Sequence, residues 1–477
     1  MSCAYPRRVC IKLIVKACFG LWLTGSCALS AVAQGPSVEL KLPPYRKVKL
    51  ENGMTLLLME QHEVPLVSFS VVVRSGATAD PAGKEGLASV TAELLRKGTK
   101  TWTADQLSGE LDFIGGQLAA NAAADSTSVA AEFVKKDLAK GLDLLADVIV
   151  NPTFPEDEVT KIVKQRLDGI KASKDRAQGA IGQYFNRYLY GSHPYGRPPA
   201  GDESSLAALT RDDLVRFYGA NYIPAGIIFA ASGDFVTSEM EKLLTGKFST
   251  WQAKPSTAVR VPDPTPAQGK RLLLVDKPDS TQTFFRIGNV GVARSNPDRV
   301  WIDVVNTLFG GRFTSWLNTE LRIKSGLTYG ASSRFDERLK PGPFFISSFT
   351  PNSTTAQALD LALATLQRLH EVGITKEELQ SAKTYIKGQF PPEIETTDHL
   401  AATIAELEFF SLDEREVNTL YSKVDAMTLA DAKRIVREYF PLEKLVFVLI
   451  GKASEIEPVV KKYAQTVARK SITQPGF

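Results

Sequence analysis

A chain of 477 residues with 57 Lys and Arg against 53 Asp and Glu carries a formal charge of +4, and that excess is confined to its first residues. Arg7, Arg8, Lys12 and Lys16 precede an apolar run to Leu29 and the small-residue triplet Ala31-Val32-Ala33, the pattern of a secretory signal over residues 1–33 cut after Ala33. Taking those 4 basic residues from 57 leaves 53 against 53 acidic, so the mature chain offers no electrostatic case for nucleic acid or an acidic membrane surface. All four cysteines (Cys3, Cys10, Cys18, Cys27) lie in the same segment, which excludes disulfides and thiolate metal sites from the mature chain. No later stretch is long and apolar enough to span a bilayer, and the length predicts two domains.

The first elements expected are strands around Val48–Leu50 and Met54–Leu58, joined by Glu51-Asn52-Gly53, a strong hairpin signal. Leu66–Val73 reads as a near-continuous apolar strand. After a glycine-containing loop, GLASVTAELLRKGT (86–99) places Leu87, Val90, Leu94 and Leu95 at helical spacing, with Ser89, Ala92 and Glu93 on another face and Gly98 as the expected C-cap. Thr103-Ala-Asp-Gln106 is a capping box opening a helix that stops at Gly115-Gly116. Gln117–Phe133 predicts two strands turning at Asp125-Ser126. Helix patterns follow over Lys136–Val150 and Pro155–Ser173, then a buried strand over Ile227–Ser232. The Pro-rich stretch 252–268 reads as an interdomain linker between domains at 34–251 and 269–477.

Beyond the linker the pattern repeats. Thr210-Arg-Asp-Asp, Tyr222 and Gly233 recur as Thr428-Leu-Ala-Asp, Phe440 and Gly451 at a constant offset, and Pro155-Glu-Asp-Glu recurs as Thr375-Lys-Glu-Glu. The mature chain is therefore read as two copies of one α+β unit.

The frame Gly-Leu-Ala…Lys-Gly-Thr around the Leu87 helix, the segment YGSHPYGRPPAG (190–201) and the duplication resemble the pitrilysin/insulinase family of zinc peptidases, the inverzincins. The resemblance covers nearly the whole mature chain. It implies an α+β fold of two homologous domains, each a mainly antiparallel sheet packed with helices, facing each other as a clamshell. Catalytic members carry H-x-x-E-H on the first helix. Laid on this chain, that motif places Ser89 at the first histidine, Ala92 at the catalytic glutamate and Glu93 at the second histidine, while Gly169 falls at the third ligand. Zinc needs imidazole, carboxylate or thiolate donors at about 2 Å, and hydrolysis needs a base beside the bound water. Serine, alanine and glycine supply neither, so no metal and no catalytic base are expected in this chain.

In the second unit, Gly310–Tyr329 (GGRFTSWLNTELRIKSGLTY) resembles the family segment that reaches across the cleft with an arginine and a tyrosine seven positions apart. The resemblance makes Arg322 and Tyr329 substrate-binding residues: a guanidinium with fixed donors and a phenol, aimed where negative charge develops. Gly310-Gly311 is read as a helix entry turn or, functionally, as a flexible lip near the cleft. His62-Glu63 is set aside as a metal pair because adjacent residues on a strand point to opposite faces, His370 and His399 have no partner at ligand spacing, and His193 beside Pro194 is expected to order a turn.

The resemblance to the two-chain bacterial branch implies a periplasmic, non-catalytic subunit that completes the active site of a homologous H-x-x-E-H chain. Zinc would be held by that partner, and peptides or unfolded protein would be the substrate. The alternative is a pseudo-peptidase that binds peptide or serves a structural role without proteolysis.

Overall fold

A computed structural model describes residues 40–252 and 260–477. The expected signal and its cleavage site lie outside the described residues, as do positions 253–259 of the expected linker. Two six-stranded sheets organise the chain. The first is built from β1 (Arg46–Lys49), β2 (Thr55–Glu60), β3 (Leu66–Val73), β4 (Gln117–Ala122), β5 (Thr127–Val134) and β6 (Ile227–Gly233), in the order β1-β2-β6-β3-β5-β4. The second comprises β7 (Arg271–Asp276), β8 (Gln282–Val290), β9 (Ala331–Phe335), β10 (Pro343–Pro351), β11 (Val446–Gly451) and β12 (Thr466–Ser471), in the order β12-β7-β11-β8-β10-β9.

Five strands of each sheet follow the same path. β2 runs parallel to β6 as β7 does to β11, and every further pairing toward the β4 or β9 edge is antiparallel. The sixth strand differs: β1 enters antiparallel from before the repeat, whereas β12 returns parallel from its end. The expected landmarks coincide in detail. Thr210 and Thr428 both cap their helices through their hydroxyls, accepting from the N–H of Asp213 and Asp431 in paired capping boxes.

Local chemistry explains the expected elements. Gly53, at φ 90°, closes the β1–β2 turn, and the buried Asn52 amide donates to the Phe248 carbonyl at 2.7 Å. Thr103 and Gln106 form the predicted capping box. β6 and β11 are buried along their whole length, as central strands covered on both faces must be.

Three local expectations are corrected. Gly98 is not the C-cap of the first helix, which spans Leu87–Leu94 and closes at Leu95. Gly98 instead bridges to Thr103, at φ 146°, where a Cβ would lie 2.8 Å from the Pro155 ring. Gly310-Gly311 ends a π-type turn that continues the helix Arg299–Asn306, and the next helical turn is opened by Ser315, whose hydroxyl accepts from Asn318. Ala92 does not share an exposed face with Ser89 and Glu93; it is fully buried, because the helix is covered on more than its apolar stripe.

The two sheets keep to the expected halves of the sequence, but the helices do not. One face of each sheet carries helices of its own half, forming one apolar cluster around Phe69, Leu94 and Leu145 and another around Phe285, Val305 and Leu366. The opposite faces are covered reciprocally. Helix Ala177–Tyr190 of the first half packs Ile181 and Phe185 against Val446 and Val448 of the second sheet. Helix Thr397–Phe409 of the second half packs Ile404 and Leu407 against Leu57 and Ile228 of the first. Each exchanged helix is met at its C-terminus by an arginine of the half it covers. Arg74 donates to the carbonyls of Glu408 and Phe409, each at 2.8 Å, and Arg271 to those of Tyr188 and Leu189 at 2.7 and 2.9 Å. Neither half buries its sheet alone.

Candidate functional site

Helix Leu87–Leu94 is delivered by a tightly held loop. The buried Asp80 carboxylate accepts from the N–H groups of Gly86 and Ala88, both at 2.8 Å, satisfying the first turn of the helix. Burial pushes its carboxyl up to about 7 despite those two donors. Arg197, from the YGSHPYGRPPAG segment, donates to the Asp80 carbonyl at 2.7 Å. In the same segment His193 orders its turn as expected, its Nδ1 accepting from the N–H of Tyr195.

The outward face of that helix meets helix Glu156–Asp175 through one residue that sequence reasoning missed, Arg166. Its Nε and Nη2 donate to Glu93 Oε2 at 3.0 and 2.6 Å, its Nη1 to Ser89 Oγ at 2.9 Å, and its Nη2 to the Ser89 carbonyl at 3.3 Å. The structure thus brings Ser89 and Glu93 together around a guanidinium. Ala92 contributes a buried methyl group to the core, and Gly169 faces open space one turn beyond Arg166, with nothing within 4 Å of where a Cβ would stand. The available signal was position: Arg166 lies three residues before Gly169, on the helix the resemblance marks for the third ligand.

These residues do not fit zinc. The one carboxylate is already neutralised by Arg166, the hydroxyl accepts from the same guanidinium, and a dication there would face a fixed positive charge. Among the described residues no group of three or more His, Cys, Asp or Glu is placed to hold a metal ion. His62 comes closest in composition, but its two carboxylates, Glu60 and Asp234, sit on opposite ring nitrogens at 2.9 and 2.7 Å and do not converge on a point. They hold the imidazole above its usual range.

Arg322 and Tyr329 form a second assembly. Arg322 lies on the π-type turn Thr319–Lys324, and Tyr329 on the loop before β9. The Arg322 guanidinium lies over two aromatic rings, 4.3 Å from the centroid of Tyr329 and 4.8 Å from that of Phe313. Tyr329 is 76% exposed and Phe313 63%. The loop is pinned from beneath: Thr350 Oγ1 donates to the Leu327 carbonyl at 2.8 Å, Ser348 Oγ to the Gly330 carbonyl at 2.9 Å, and the Leu327 N–H to the Leu321 carbonyl at 3.0 Å. Stacking therefore fixes the Arg322 side chain without occupying its N–H donors. The cavity beside Ser89 is lined by first-half residues, and neither Arg322 nor Tyr329 is among them.

Duplicated α+β units of matching strand order, with the first-helix frame and the Arg/Tyr segment, define a two-unit protein of zinc-peptidase architecture. Residues 55–203 match the family model described as insulinase (peptidase family M16), and residues 208–386 match the peptidase M16 inactive domain. The chain belongs to the insulinase, or M16, peptidase family. It is 26% identical over 399 residues to an uncharacterised zinc protease of Mycobacterium leprae, covering 82% of this chain and 88% of that one. An uncharacterised zinc protease of Bacillus subtilis is 23% identical over 396 residues, with coverages of 83% and 95%. Two solved structures share the fold at a TM-score of 0.81 and 23% identity: a peptidase M16 inactive domain from Pseudomonas fluorescens and a protease from Helicobacter pylori. Each covers 86% of this chain, and 98% and 100% of those chains respectively are matched.

Proposed function

We propose that this chain is the non-catalytic, substrate-contacting subunit of a periplasmic two-chain zinc metalloendopeptidase, lending Arg322 and Tyr329 to the active site of a homologous H-x-x-E-H partner. The observation that carries this reading is the Arg322–Tyr329 pair: held by stacking and presented to solvent, with guanidinium donors that meet no acceptor among the described residues. Interior packing would not leave a tyrosine 76% exposed over a guanidinium. In the assembled site the partner's zinc would supply an activated water. The task of this chain is to hold an extended peptide and to donate from Arg322 and Tyr329 to the carbonyl oxygen on which negative charge develops. A site charged with guanidinium at Ser89 and Glu93 agrees with that division of labour, because only the partner would need a metal.

The decisive experiment is affinity capture of the tagged protein from its native periplasm, with bound chains identified and zinc counted. Recovery of an H-x-x-E-H chain with about one zinc per pair supports the split enzyme, and Arg322→Ala or Tyr329→Phe then slows cleavage by the pair. Full activity of both variants in the assembled pair overturns the contact role. Capture of this chain alone and metal-free would favour the second reading, a peptide-binding pseudo-peptidase.

A further inference from the structure

One face of the second sheet carries polar groups that the fold leaves unpaired. Phe284 and Arg286 of β8, Ser347 and Phe349 of β10, and Ser332 and Arg334 of β9 alternate with buried residues, so they share the face turned away from the sheet's own helices. Register places Arg286 opposite Ser347, and Ser347 opposite Ser332. The exchanged helix Ala177–Tyr190 covers the β11 side of this face and meets Arg286 with Gly182, where a Cβ would stand 3.1 Å from Nη1. Toward β9, Ser332 and Arg334 are exposed. On the buried face of the same strands the hydroxyls are bonded: Ser333 to Asn306, Ser348 to the Gly330 carbonyl and Thr350 to the Leu327 carbonyl. On the open face the side chains of Ser332, Ser347 and Arg334 make no hydrogen bond among the described residues, and Arg286 Nε is buried without an acceptor. Arg286 is the anomaly. Its guanidinium lies over the Phe345 ring, 4.1 Å from the centroid, and forms no ion pair among the described residues. Burial pulls it down to about 10; Asp336 opposes that pull and Arg334 adds to it. Asp336 is itself engaged by Arg338 at 2.7 Å. A half-buried cation with no counter-charge is costly to keep.

We propose that this face is a subsite for an acidic side chain of the peptide substrate, with Arg286 and Arg334 taking its carboxylate and Phe284 and Phe349 taking an apolar neighbour. A guanidinium offers a carboxylate two parallel N–H donors, and the free hydroxyls of Ser347 and Ser332 stand beside it to donate a third bond. The Phe284 and Phe349 rings are stacked, with centroids 5.3 Å apart, and each is half-buried, so the pair presents apolar surface next to the charge. β9 leads directly out of the Tyr329 loop, and Ser332 follows Tyr329 by three residues, about 10 Å of extended chain. A peptide held at Tyr329 therefore reaches the arginines within a few residues. Two uncompensated cations favour Asp or Glu there, accept Asn or Gln weakly and repel Lys or Arg. The proposal rests on the reading that this chain holds a peptide at Arg322 and Tyr329, and it names the class of peptide held.

The test is isothermal titration calorimetry of the purified protein with decapeptides of Ala, Ser and Val that carry Phe-Glu or Phe-Gln at the centre. Both ends are blocked, so only the glutamate is charged. The Phe-Glu peptide is expected to bind at least about tenfold more tightly than the Phe-Gln peptide, a preference that shrinks with added salt. Arg334→Gln and Arg286→Met are each expected to cut that preference to about twofold and leave the Phe-Gln affinity unchanged. Arg286→Met keeps an apolar stem over Phe345 and removes the uncompensated cation, so its urea midpoint should be no lower than that of the parent. Equal affinity for the two peptides, or a preference that survives both variants, overturns the subsite. Arg322→Ala separates the subsite from the reading beneath it. If it weakens two peptides of equal affinity alike, the holding role stands and the subsite fails. If it leaves a strong Phe-Glu preference and full affinity intact, the subsite stands and the holding role fails.

Discussion

Arg166 and Glu93 form an ion pair at 2.6 Å between helices Leu87–Leu94 and Glu156–Asp175, on which the resemblance places the ligands of a metal. The pair joins them electrostatically without one. It is partly exposed, with 22% and 36% of the two side chains accessible, so solvent moderates its strength. A double-mutant cycle of Arg166→Ala and Glu93→Ala in urea denaturation should return a coupling of about 1 kcal/mol. A coupling indistinguishable from zero would mean that the helices meet through apolar contact alone.

Arg322→Ala and Tyr329→Phe should separate function from folding. Tyr329 lies at the surface and Arg322 is half-buried beneath it, and Tyr329 keeps its ring in the phenylalanine variant. Each should leave the urea midpoint within about 0.5 kcal/mol of the parent stability. Within an active pair, loss of one donor to the developing oxyanion should lower kcat about 100–1,000-fold. A variant that loses activity only by unfolding would show it in the midpoint.

The exchanged helices should make the two halves unfold together. Phe185 is fully buried, with its ring 5.9 Å from that of Phe345 across the halves. Phe185→Ala should cost about 3–5 kcal/mol and move one calorimetric transition to lower temperature. Two resolved transitions, with only one displaced, would show that the halves fold separately.

Glu337, on the loop between β9 and β10, predicts a pH dependence. Burial first, and then the nearby Asp303, push its carboxyl up to about 8, against the opposing pull of Arg299 and Arg294. The unfolded chain ionises a glutamate near pH 4.3, so between about pH 5 and 8 the folded state holds the extra proton. Stability is then greatest below that window and is lost as pH rises, by up to about 1.4 kcal/mol per pH unit. Urea midpoints at both ends of the window should fall for the parent and much less for Glu337→Gln. An equal fall in both would assign the effect elsewhere, with Asp80, also raised to about 7, the first candidate.

Sequence by itself determined the elements and their duplication, because both rest on short-range rules. Asn52-Gly53 sets a hairpin, Thr210 and Thr428 set matching capping boxes, and alternating or periodic apolar residues set strands and helices. The seven-residue spacing of Arg322 and Tyr329 was legible for the same reason: both belong to one turn and its following loop. Tertiary structure decided what long-range contacts control. Nothing in Ala177–Tyr190 or Thr397–Phe409 says that each will cover the other half's sheet, since an apolar stripe fits any apolar face of suitable shape. Arg166 likewise reads as one more charge on an amphipathic helix. Only the packing of that helix against Leu87–Leu94, 73 residues away at Glu93, puts its guanidinium between Ser89 and Glu93 and into the wall of the cavity.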